Sequence, residues 1–239
     1  MENDLTSFYI IGIRRKFHVK KICFNFVFSI VIILAGCSSG EKEVSVNKES
    51  IEDVEEIVIN FASTDVNFRP SEKSELETYL TAYDNGPGVT LDKSSKRLSI
   101  DLSNDIRRLI NFKKKPTLEV RIPHQFKRKI ILDGSSGNVS GQDLVQNNID
   151  IRSSSGDIKL HVKEINGDVE LSTTSGNASV TFDEKQPNLN LEIATNSGRQ
   201  SVNLSLSEKT QTKKGFKGSS GNGENKMKIE TKSGNISLN

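Results

Sequence analysis

The chain has 239 residues, 33% of them hydrophobic and 27% charged, with a formal net charge of +2, no Trp and two Met. That balance excludes a disordered chain, because Ile, Val and Leu recur in regular alternation instead of being depleted, and the length suits one domain. Five Lys or Arg and two acids fall in residues 1–36, leaving 28 bases against 29 acids downstream. The basic excess therefore belongs to the N-terminus, and the body carries no charge signature of nucleic-acid binding.

In chain order, the basic run "RRKFHVKK" precedes "ICFNFVFSIVIILAGC". A basic region, an apolar stretch and small residues follow the plan of a secretory signal. At 1.5 Å per residue, Ile22 to Gly36 spans about 22 Å, short of a ~30 Å hydrocarbon core, which disfavours a permanent transmembrane helix. Leu34-Ala35-Gly36-Cys37 resembles a bacterial lipobox. The resemblance implies cleavage before Cys37, a diacylglycerol on its thiol, and anchoring to the extracytoplasmic face of the cell membrane. Two or more acyl chains hold a protein there stably where one does not. Cys23 lies in the part to be removed and Cys37 is spent on lipid, so no thiol remains for a disulfide, a metal or nucleophilic catalysis. "SSGEKEVSVNKESIEDV" (Ser38 to Val54) then reads as a polar tether. The expected organisation is a signal over 1–36, a lipidated N-terminus and tether over 37–53, and a folded domain over 54–239.

The body opens on "IVINFASTDVNF", and "LETYLTAY", "KRLSIDLS" and "TLEVRIP" follow, all alternating with period 2. "DNGPG" (Asp84 to Gly88) and Pro116 break them apart, and "SNDIRRLINF" is a short helix or a loop. Beyond this a repeat emerges. With Gly137, Gly156, Gly176, Gly198 and Gly234 in register, the residues five and seven places earlier are Leu132 and Ile130, Ile151 and Ile149, Leu171 and Val169, Ile193 and Leu191, Ile229 and Met227. Between each pair stands Ile131, Asp150, Glu170, Glu192 or Lys228, and a Ser always precedes the glycine. Two places after it come Val139, Ile158, Ala178, Gln200 and Ile236. Thr64 takes the glycine's place in an earlier copy, with Ile57, Ile59, Val66 and Phe68 around it. Strand, turn, strand is the unit, and each glycine is a structural turn that supplies a positive φ or a close backbone approach. The first four glycines lie about 20 residues apart, the signature of stacked strands. The expected fold is all-β, a right-handed parallel β-solenoid of short coils.

"ASTDVNFRP", "LEVRIP", "GSSGNVSG", "SSSGDIKL", "TTSGNASV" and "ETKSGNISL", taken in order, resemble the bacterial "putative adhesin" family of β-strand-repeat proteins, which includes LiaG-like envelope proteins. The resemblance covers residues 54 to 239 and implies an extracytoplasmic β-solenoid-like domain without established enzymatic activity.

Chemistry has few candidates. Outside the signal, His124 and His161 are isolated and read as surface residues, and no metal-ligand spacing or nucleophile motif occurs. Asp150, Glu170 and Glu192 form an outward ladder, read as a solvated face against the alternative of a ligand site. "RRLINFKKK" (Arg107, Arg108, Lys113, Lys114, Lys115) is a basic loop that could meet anionic lipid or wall polymer. The leading expectation is a non-enzymatic, lipid-anchored envelope protein without cofactor, partnered by the membrane and by an unidentified envelope polymer or membrane protein. The alternatives are a carbohydrate-binding or carbohydrate-active β-helix and an accessory of a membrane signalling system.

Overall fold

The computed structural model describes residues 42–83, 88–102, 115–146 and 148–239, and among them every regular element is a strand. β1 (Lys42–Ser50) leads to β2 (Glu56–Ala62) and β3 (Asp65–Ser71). These are followed by β4 (Glu75–Tyr83), β5 (Val89–Ser94), β6 (Arg97–Leu102) and β7 (Thr117–Pro123). The repeat region then supplies β8 (Lys129–Gly134), β9 (Val139–Leu144), β10 (Asn148–Ser155), β11 (Ile158–Val162), β12 (Val169–Ser175) and β13 (Ala178–Phe182). Last come β14 (Leu189–Ser197), β15 (Gln200–Val202), β16 (Ser207–Gln211), β17 (Gly215–Ser220), β18 (Asn225–Ser233) and β19 (Ile236–Leu238).

Alternation decides burial, because successive side chains on a strand face opposite ways. In β2, Ile57, Ile59 and Phe61 are buried while Val58 and Asn60 are only half-buried. The strands form a nine-stranded sheet, ordered β1-β4-β7-β3-β9-β11-β13-β19-β15, and a ten-stranded sheet, ordered β16-β17-β14-β18-β12-β10-β8-β2-β6-β5. Each corner glycine hands the chain from the second sheet to the first, so that one tier contributes a strand to both. Inside the ten-stranded sheet, register lines up Leu98, Ile57, Ile130, Ile149, Val169, Met227 and Leu191 as one buried row. The facing sheet answers with Leu118, Val66, Val139, Ile158, Ala178 and Ile236. Both sets belong to one apolar core. Each fully buried aliphatic chain there stabilises the fold by about 1.5–3 kcal/mol.

Pairing is parallel except at the ends, where β1–β4, β4–β7, β5–β6, β14–β17 and β16–β17 are antiparallel. Antiparallel strands therefore flank the parallel tiers at three of the four sheet ends, while β15 ends the nine-stranded sheet in parallel pairing.

Two features depart from the sequence reading. The segment expected as a tether is β1 from Lys42 onward, paired with β4 along all its length. Its inward slots hold Ser45, Asn47 and Glu49, so the apolar alternation that marks other strands is absent. The tiers also do not stack in chain order. β18 and β19 lie between the β12–β13 tier and the β14–β15 tier, and β2 and β3 lie inside β6 and β7. A tier is displaced inward at each end of the stack.

Candidate functional site: corners and outward faces

Repetition makes the corners a candidate ligand loop. Thr64, Gly137, Gly156, Gly176, Gly234 and Gly198 form one column. A Cβ on Gly137 would collide with the Thr64 carbonyl, one on Gly156 with that of Gly137, and one on Gly176 with that of Gly156. Gly234 meets the carbonyl of Gly176 and Gly198 that of Gly234 in the same way. None of these glycines has a positive φ, which is confined to Gly221 and Gly223 among the described glycines. Close approach between tiers is therefore the reason for glycine here.

The next residue in each corner builds a polar ladder. Asp65 Oδ1 accepts the Asn138 N–H at 2.8 Å, Asn138 Oδ1 that of Asp157 at 3.0 Å, and Asp157 Oδ1 that of Asn177 at 2.9 Å. Asn177 Oδ1 accepts from Asn235 and Asn235 Oδ1 from Arg199, both at 2.9 Å. A third column was missed in the sequence: Ser153, Thr173, Thr231 and Thr195, each three places before its glycine, are buried and in register. Thr195 Oγ1 donates to the Gly234 carbonyl at 3.0 Å and Thr231 Oγ1 to that of Gly176 at 3.2 Å. The signal was the hydroxyl residue recurring at a fixed offset. The Ser153 and Thr173 hydroxyls are buried without a partner, but the Asx oxygens and backbone amides bond from tier to tier along the whole column, so the recurring motif serves the scaffold.

On the outward face of the ten-stranded sheet, Asp150, Glu170, Lys228, Glu192 and Lys217 stand side by side on successive strands. The displaced β18 puts Lys228 between Glu170 and Glu192, so the three acids are not brought together. Lys228 Nζ lies 3.5 Å from Glu170 and 3.1 Å from Glu230, and Lys217 Nζ 3.0 Å from Glu192. The Glu230 carboxylate is the main cause that raises the Lys228 ammonium above its ordinary value. Asp150 differs from the rest of the row. It is 6% exposed; Oδ2 accepts from Arg152 at 2.6 Å, while Oδ1 is buried without a hydrogen-bond partner. A shallow groove of about 310 Å³ runs over Asp150, Asp168, Glu170, Lys129, Lys226 and Lys228.

On the other sheet, His161 is held rather than free. Nδ1 lies 2.9 Å from Asp143 Oδ1 and Nε2 2.8 Å from Asp183 Oδ1, on either side of β11. The Asp183 hydrogen bond is the main cause that raises the imidazole above its usual range, with Asp143 adding to it against partial burial. Sequence separation hid both partners. His124 Nδ1 lies 3.4 Å from Glu72. Nearer β1, the fully buried Glu77 accepts from Lys73 Nζ at 2.7 and 2.8 Å and from Tyr79 Oη at 3.0 Å, and Lys48 Nζ lies 3.2 Å away. The Lys73 hydrogen bonds do most to hold its carboxyl at about 2, against the burial that opposes ionisation. Arg121 stacks 4.2 Å from the Tyr79 ring centroid and bonds Glu119 at 2.7 Å.

Among the described residues no group of three or more His, Cys, Asp or Glu is placed to hold a metal. Leu34, Ala35, Gly36 and Cys37 lie outside the described residues, as do Arg107, Arg108, Lys113 and Lys114; Lys115 is exposed.

These features define a class of all-β scaffold in which the repeated motif is structural and the chemistry lies on the sheet faces. The chain belongs to the Toastrack DUF4097 family, which matches it twice, over residues 54–149 and 142–239. The two matches divide the stack into halves, each with one inwardly displaced tier. A "putative cell adhesion protein" from Clostridium sporogenes superposes with a TM-score of 0.66 at 14% identity, covering 83% of this chain and 99% of that one. A "putative adhesin" from Bacteroides fragilis gives 0.38 at 16% identity, over 84% and 99%. A "putative lipid binding protein" from Parabacteroides distasonis gives 0.27 at 16%, over 83% and 97%. The first likeness shows a shared fold alone. No curated protein matches the chain.

Proposed function

We propose that the chain is a lipid-anchored, non-enzymatic cell-envelope protein that presents its sheet faces for adhesion, binding or envelope maintenance outside the membrane. One observation carries the non-enzymatic reading: prominent ionisable groups of the outward faces are committed to one another. Both ring nitrogens of His161 face carboxylates, Glu77 is saturated by cations, and Glu170 and Glu192 each face a lysine. A general base or nucleophile needs reach to a substrate proton or carbon, and paired groups offer little of it. The finer architecture we assign is a right-handed parallel β-solenoid with a period near 20 residues. Bonds spanning 19 and 20 residues between the β8–β9, β10–β11 and β12–β13 tiers support it for the middle of the stack.

Photo-crosslinking in intact envelopes tests the binding role. Probes at the exposed Lys159 and Glu170 are expected to capture an envelope component, whereas a probe at Asn177 in the corner is not. Turnover of an envelope polysaccharide by the purified protein, abolished by Asp150→Asn, would contradict the reading.

The groove beside Asp150 favours a second reading, a carbohydrate-binding face. The exposed carboxylates and lysines that line it suit a hydroxyl-rich ligand. Glu170→Gln should then weaken polysaccharide binding without changing the unfolding midpoint.

A further inference from the structure

β1 is the outermost strand of its sheet, and it carries the exposed large hydrophobics among the described residues, Val44 at 51% and Val46 at 49%. A single exposed valine is ordinary. This pair is organised by the strand's period. The outward slots of β1 are Lys42, Val44, Val46 and Lys48, opposite Tyr83, Thr81, Tyr79 and Glu77 of β4. The acids Glu43 and Glu49 occupy the alternate slots, opposite Ala82 and Leu76. Glu77 is buried beneath Lys48 and Lys73. The outward edge thus presents two valines between two lysines, beside two half-buried tyrosines. Apolar side chains flanked by amphipathic aromatics and lysine heads are the composition of a bilayer interface.

Position adds a second argument. Lys42 follows Cys37 by five residues, which span at most about 18 Å when fully extended. A lipid on Cys37 holds Lys42, where β1 begins, within that distance of the headgroups. Pairing of the free β1 edge with a second copy would occupy backbone amides in the plane of the sheet and would leave the valines on its face uncovered.

We propose that the outward face of β1 docks on an anionic bilayer, with Val44 and Val46 entering the headgroup boundary and Lys42 and Lys48 meeting lipid phosphates. The proposal rests on the anchoring at Cys37 given above. The chain contains no Trp, so a single introduced Trp reports its own surroundings. The full chain carrying Val46→Trp, and separately Thr181→Trp on the exposed outward face of β13, is placed on vesicles of phosphatidylglycerol and phosphatidylcholine. Some of the lipid is brominated near the top of the acyl chains, and flotation confirms that the protein is bound. The probe at position 46 should lose most of its emission and the probe at 181 should keep it. Pure phosphatidylcholine should weaken the quenching at 46.

Equal, weak quenching at both sites on vesicle-bound protein would overturn the proposal. So would a blue shift at 46 without quenching, which would mean a protein or polymer cover. Equal quenching with and without phosphatidylglycerol would remove the lysine–phosphate part. Quenching at 46 with no lipid found on Cys37 would strike the anchoring reading alone.

Discussion

The backbone N–H of Asn235 donates to Asn177 Oδ1 at 2.9 Å, across 58 residues of sequence. The bond joins the C-terminal tier to the β12–β13 tier, while the tier that precedes it in the chain lies outside. The last strands of the chain are therefore interior strands of both sheets.

Truncation before Asn225 should accordingly be severe. It removes the buried Met227, Ile229, Ile236 and Leu238 and separates β12 from β14. Losing one such side chain typically costs about 2–5 kcal/mol, comparable with half of a domain's stability. Urea unfolding followed by circular dichroism should show no cooperative transition. A truncated chain with an unchanged midpoint would place the tier at the periphery.

Gly176→Ala should destabilise by about 1–3 kcal/mol or more, since the new methyl meets the Gly156 carbonyl and backbone must move. Gly88→Ala makes a control, because open space surrounds that position; a surface change of this kind stays within about 0.5 kcal/mol. Thermal unfolding of the two variants separates these outcomes.

The corner glycines, the paired apolar rows and the strand–turn–strand unit were legible, because each is fixed by residues close in sequence. Stacking order was not. Every tier carries the same local register, so the pattern does not choose between Gly198 and Gly234 as the neighbour of Gly176; in the fold β17 occupies the outer edge of β14, and β18 lies between β14 and β12. β1 was hidden by its polar inward slots. The partners of His161 were hidden because they come from neighbouring tiers, and only the register brings them within reach; for Glu77, Lys73 and Tyr79 are close in sequence, and what was hidden is Lys48, brought in from β1.

His161 should couple stability to pH. Its folded pKa is raised, so the imidazolium's contribution is complete below the unfolded value near 6.5 and is lost as pH rises through the folded value. The pair is partly solvated, and an effect of about 0.2–1 kcal/mol is expected. The stability gap between the natural chain and His161→Gln should narrow from pH 6 to pH 9. A gap independent of pH would contradict the bridged imidazolium.

Glu77 has the opposite sign. Its folded pKa is depressed to about 2, so its contribution is present above the unfolded value of about 4.5 and disappears as pH falls toward 2. Glu77→Gln should be less stable at neutral pH and flatter in its acid dependence over that window. Denaturant midpoints measured across it check both features.

Anchoring of the domain outside the membrane turns on Cys37. Cells expressing the chain are grown with radioactive palmitate and fractionated. Label is expected on the membrane-bound protein and, for Cys37→Ala, an unlabelled and uncleaved precursor. Equal labelling of the two, or an unlabelled natural chain, would contradict it.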